Sequence, residues 1–181
     1  WMVKEMSLAL IAKITGSTLI LASSAMAGFI YSRKLTERIE YIREIQSFLM
    51  ELENEILYMG RPLGYALLQY SQNRNTPVSE FSGRVYELSK TEDGGIDAAW
   101  QKGIDEFRNH WPVEQEDWIL LSQVGEVLGK TDRANQSSFI KMMREKFSVQ
   151  EKKAEEDRAR KEKLYKNLGI LGGLAIVLVL I

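Results

Sequence analysis

The sequence predicts an all-α protein: a cytosolic bundle of about six helices flanked by an N-terminal and a C-terminal transmembrane helix. Three observations predict it. An apolar segment lies near each end of the 181-residue chain. Between them, apolar residues recur every three or four positions, the period of one helix face, with none of the alternation a strand needs. Prolines and glycines fall between those periodic stretches, where they end one helix and start the next.

The first segment runs from Ile14 to Tyr31, extended by Leu8–Ala12, so residues 8–31 are assigned as a membrane span. The second runs from Leu168 to Ile181 and reaches spanning length only with Leu164 and Tyr165, giving 164–181. A bilayer core needs about 20 mostly apolar residues in a helix. Arg33, Lys34, Arg38 and Arg43 follow the first segment, and Arg158, Arg160, Lys161, Lys163 and Lys166 precede the second. Basic residues stay on the cytoplasmic side of a membrane, so residues 32–163 are expected in the cytosol with both termini outside. Ala25-Met26-Ala27 has the small-x-small form of a signal-peptidase site, which leaves cleavage and export as the competing reading. The basic cluster beyond Tyr31 argues against it.

Within 32–163 the first helix carries the plainest stripe: Leu35, Ile39, Ile42, Ile45, Leu49, Leu52, Ile56 and Met59. Gly60 suits a left-handed cap after it, and Pro62 the first turn of the next helix. The second helix presents Leu63, Ala66, Leu67 and Tyr70. A third starts at Pro77 and presents Val78, Phe81, Val85 and Leu88. The fourth, over 96–111, presents Trp100, Ile104, Phe107 and Trp111; the fifth, after Pro112, presents Trp118, Leu121, Val124 and Leu128. Asp132 suits the N-cap of the sixth, whose apolar positions are Phe139, Met143 and Phe147. Residues 150–163, QEKKAEEDRARKEK, carry charge on every face. They read as a solvated connecting helix or as a partner-binding coiled coil.

The inventory excludes most chemistry. There is no cysteine and one histidine, His110, so thiolate and histidine-cluster metal sites are out. No phosphate-cradling Gly-Lys-Ser/Thr loop and no zinc-protease motif occurs. A net charge of −1 gives nucleic acid no reason to bind. Glu51, Glu53 and Glu55 cluster, with Glu51 and Glu55 on one face and Glu53 turned away; a paired-carboxylate site is the alternative to a solvated acidic face. Glu114-Gln115-Glu116-Asp117 reads as the first turn of a helix, where negative side chains favour the dipole. The expectation is no enzyme and no cofactor. Gly169, Gly172 and Gly173 allow another helix to approach closely inside the membrane, which leaves homo-oligomer formation open.

Three stretches together carry a resemblance. They are Leu52-Glu53-Asn54-Glu55-Ile56-Leu57-Tyr58 with Pro62-Leu63 and Ala66-Leu67; Gly125-x-x-Leu128-Gly129-x-x-Asp132-x-x-x-Gln136; and Tyr165-Lys166-Asn167-Leu168-Gly169-Ile170-Leu171-Gly172-Gly173-Leu174. In this order they resemble the stage III sporulation protein AB family of endospore-forming bacteria. Gly64-Tyr65 departs from the polar or acidic pair common there. The resemblance implies a protein of the mother-cell membrane around the forespore, its soluble domain in the mother-cell cytoplasm, within a secretion-like channel complex. That domain is similar to the platform protein of type II secretion machines, which implies the stage III sporulation protein AA ATPase and the other channel subunits as partners. Glu55, Gly125, Gly129, Asp132 and Gln136 are the candidate partner contacts. For the last four, helix packing and capping is the competing reading. In mechanism, the long first helix and the sixth would carry an ATPase's push on the bundle to both anchors. A membrane-anchored regulator or assembly factor of another membrane protein is the alternative function.

Overall fold

A computed structural model describes the backbone of residues 2–91, 95–128 and 133–180, and the side chains chiefly of 33–91, 95–128 and 135–164. These residues form six α-helices and no strand: α1 Met2–Leu57, α2 Leu63–Asn73, α3 Pro77–Thr91, α4 Gly95–Phe107, α5 Gln115–Val127 and α6 Arg133–Leu180. They divide into two compact units, Glu37–Glu155, and Trp1–Thr36 with Glu156–Ile181.

Trp1–Thr36 and Glu156–Ile181 hold the two apolar segments. Most of their side chains, including Gly169, Gly172 and Gly173, lie outside the described residues. Among the described residues, no helix is long and apolar enough to cross a membrane.

Glu37–Glu155 is a helical bundle around one apolar core. The α1 stripe is buried from Ile39 to Ile56, as its period requires, and Phe48 joins it from just beside that line. Met59 does not: α1 ends at Leu57, and Met59 stands exposed in the turn beyond. That turn reverses at Gly60, whose φ of 64° is a left-handed conformation that a Cβ would disfavour. The Arg61 N–H then donates back to the Glu55 carbonyl, satisfying one of the last orphan acceptors of the helix. Pro62 sits one residue ahead of α2 in an extended conformation.

Consecutive helices α2, α3, α4 and α5 pack in order, each against the next. Val78, Phe81, Val85 and Leu88 of α3 are all buried, as are Trp100, Ile104, Trp118, Leu121, Val124 and Leu128. The fourth helix stops at Phe107, four residues short of expectation, for a local reason. Trp111 precedes Pro112, and the proline ring disfavours the helical conformation in the residue before it. The chain tightens instead, with the His110 and Trp111 N–H groups both donating to the Phe107 carbonyl. Trp111 thereby folds back and stacks on Trp118, ring centroids 5.2 Å apart. Phe81 meets Trp100, Phe107 and Trp111 edge-on, so one aromatic cluster ties α3, α4 and α5 together.

The bundle part of α6 runs antiparallel to α1. Ile140, Met143, Phe147 and Ala154 bury against the core, so the helix keeps an inward face beyond Phe147. Residues 150–155 are therefore not solvated on every side. Glu151 accepts from Arg43 Nε and Gln46 Nε2, and Lys153 pairs with Glu116 on α5.

Candidate partner-binding surface

Of the five candidate contact residues, the structure describes Glu55, Gly125 and Gln136, and the last two are buried. Gly125 belongs to the core. A Cβ there would fall 2.9 Å from the Trp100 Cβ and closer still to its Cγ and Cδ1. Trp100 is fully buried, held by an Nε1–H bond to the Leu121 carbonyl at 2.8 Å. The glycine exists to admit that indole, which is packing and not partner contact. Gln136 is buried on α6. Gly129 and Asp132 lie outside the described residues.

Among the described candidates, Glu55 alone sits at a surface suited to binding. Its carboxylate accepts from Arg61 Nη1 at 2.8 Å, and the Arg61 guanidinium lies over the Tyr65 ring, 4.8 Å from its centroid. Around this pair Tyr58 is 76% exposed and Met59 64%. An aromatic, a methionine and an arginine exposed together match the composition of interface hot spots. The cause is local. The turn at Gly60 breaks the stripe of α1, so its last large apolar side chains have no neighbouring helix to cover them. Glu51 and Glu55 do share one face, each paired with an arginine, Arg74 and Arg61.

Glu53, read as part of a solvated face, is buried, and so is Asp117, which lies in the first turn of α5 as expected. Glu53 accepts from Ser137 Oγ at 2.9 Å and pairs with Arg144 Nη1 at 3.5 Å. Asp117 takes a two-point contact from Arg38, Nε to Oδ2 at 2.9 Å and Nη2 to Oδ1 at 3.3 Å. Arg38 is 4% exposed and Asp117 1%. The same guanidinium reaches Glu114 Oε1 at 2.8 Å and Gln150 Oε1 at 3.4 Å, so it pins α1 to α5 and α6. Asp117 also accepts the Glu114 N–H, which completes the start of α5. Arg38 and Arg43 were counted as a flank for the first apolar segment. The fold uses both for internal ion pairs, leaving Arg33 and Lys34 exposed.

These buried contacts are structural. Replacing Glu53 by Gln is expected to lower stability by about 1–2 kcal/mol, since Ser137 and Arg144 lose a charged acceptor. The midpoint of urea unfolding checks it. Among the described residues no group of carboxylates and histidine could hold a metal ion.

Comparison with known proteins decides the family. The model of the family described as stage III sporulation protein AB matches residues 13–181. The chain belongs to that family. It is 32% identical to the stage III sporulation protein AB of Bacillus subtilis (strain 168) over 169 residues, covering 93% of this chain and 98% of the relative. A solved structure of a stage III sporulation protein AB superposes with a TM-score of 0.63 at 29% identity, covering 68% of this chain and 98% of the other. Membership implies a role in sporulation. Both matched proteins carry the name of a sporulation protein and not of an enzyme.

Proposed function

We propose that this protein is a non-catalytic coupling platform of the channel complex between mother cell and forespore. Residues 8–31 and 164–181 anchor it in the mother-cell membrane around the forespore. The bundle stands in the mother-cell cytoplasm and receives the stage III sporulation protein AA ATPase. The observation that carries the reading is the exposed surface of Tyr58, Met59, Arg61 and Tyr65, where large apolar and cationic side chains stand together. Family membership supports the sporulation setting. The apolar runs and their basic neighbours Arg33, Lys34, Arg158 and Arg160 support the anchoring.

The test is binding of full-length protein in detergent to the purified ATPase, with and without nucleotide. Tyr58→Ala with Met59→Ala is expected to weaken the complex at least about tenfold, as loss of a hot spot does. Unfolding midpoints should not move, because both side chains stand in solvent. Undiminished binding by the variant sinks the surface assignment. No binding by the wild-type protein sinks the coupling reading and favours the regulator.

A further inference from the structure

On another side of the bundle, α1, α3 and the turn after α4 enclose a concavity of about 390 Å³. Its walls are aromatic: Tyr41 from α1, Phe107 at the end of α4, and Trp111, which meets Tyr41 edge-on at 5.3 Å between centroids. Its rim is acidic. Glu80 projects from the first turn of α3, Glu106 from α4, and His110 completes the edge.

The two carboxylates are not equivalent. Glu106 is already engaged by Arg84, Nε to Oε2 at 2.6 Å and Nη2 to Oε1 at 2.8 Å, which holds its carboxyl below the usual range. Among the described residues no cation pairs with Glu80. Burial raises the Tyr41 phenol above its ordinary value, with smaller contributions from the carboxylates of Glu44, Glu37 and Glu80. His110 anchors the rim through Nδ1, 3.1 Å from the Glu106 carbonyl oxygen.

Aromatic rings beside an unpaired carboxylate favour a positively charged group carried on an apolar stem. Aromatic rings attract a cation electrostatically, and the stem of a lysine or arginine covers apolar wall while its head reaches the carboxylate. An anionic lipid headgroup or a phosphate would meet repulsion there. We propose that this concavity binds a lysine or arginine side chain presented by a protein partner, with Glu80 as the counter-charge. The site is separate from the Tyr58 surface and does not depend on the coupling reading.

The experiment titrates the full-length protein in detergent with a lysine-bearing Gly/Ser peptide and with its glutamine counterpart, following the indole N–H resonance of Trp111. The lysine peptide is expected to bind roughly tenfold tighter, a ratio that falls with added salt. Glu80→Gln should remove the difference, Glu80→Asp should keep most of it, and Glu87→Gln, one α3 turn pair away, should leave it intact. Equal affinity for the two peptides overturns the proposal, as does a Glu80→Gln protein that still discriminates. Free lysine amide binding as tightly as the peptide overturns the assignment to a protein partner.

Discussion

Arg38→Met will lower the unfolding free energy by about 3–5 kcal/mol, the cost of removing one partner from a buried ion pair. The residue left behind is Asp117, 1% exposed and without its two guanidinium contacts. Glu114 would lose its cation as well, so two carboxylates would face each other across the start of α5. Methionine fills much of the volume, which limits the cavity contribution and isolates the electrostatic one. Replacing both ends, Arg38→Met with Asp117→Leu, should recover most of the loss. The bond from the Glu114 N–H to Asp117 and the Arg38 contacts to Glu114 and Gln150 then remain broken, at about 1–2 kcal/mol together. Urea unfolding followed by helical circular dichroism measures both. A single variant losing less than about 1 kcal/mol would mean that the pair is solvated in solution and does not hold α1.

Gly125→Ala carries the second large effect, about 2–3 kcal/mol of destabilisation, near the upper end of what overpacking costs. An alanine in mid-helix would ordinarily stabilise by about 0.5–1 kcal/mol. Here the new methyl meets the Trp100 indole, which is locked by its bond to the Leu121 carbonyl and by Phe48 and Phe81 on its other sides. Trp100→Ala alone should cost about 3–5 kcal/mol through its cavity. In that background Gly125→Ala should become neutral or better, because the methyl enters the space left by the indole. The double-mutant cycle is the measurement. Additive losses would place the constraint on Gly125 somewhere other than Trp100.

Much of the bundle was legible because burial on a helix is periodic. The stripe from Ile39 to Ile56 and the apolar faces of α3 and α5 are buried where the period put them. Arg38 and Glu53 were misread although their positions carried a signal. Arg38 stands four residues before Ile42, and Glu53 four after Leu49, both in register with the buried stripe. Charge was taken to mean solvent, whereas a charged residue in an apolar register means a buried partner. Which partner was not legible. Asp117 and Ser137 lie 79 and 84 positions away, and periodicity says nothing about what a face meets. Gly125 was legible only as a choice between packing and partner contact, since a glycine set for close approach looks the same in sequence as one set for a contact, and the structure shows packing. The exposed cluster after Leu57 was absorbed into the stripe through Met59, because the helix end was placed two residues late.

The antiparallel pairing of the first and last helices also sets an order of events during synthesis. Neighbours α2 to α5 meet over short stretches of chain and can assemble as they leave the ribosome. Glu53 cannot: its partners Ser137 and Arg144 are translated long after it. Arg43 waits longer still, for Glu151 and Glu155. Until then the part of the core that Met143 and Phe147 fill is open. The nascent bundle is therefore an open form with an apolar flank, and it closes only when nearly all of residues 37–155 have been made.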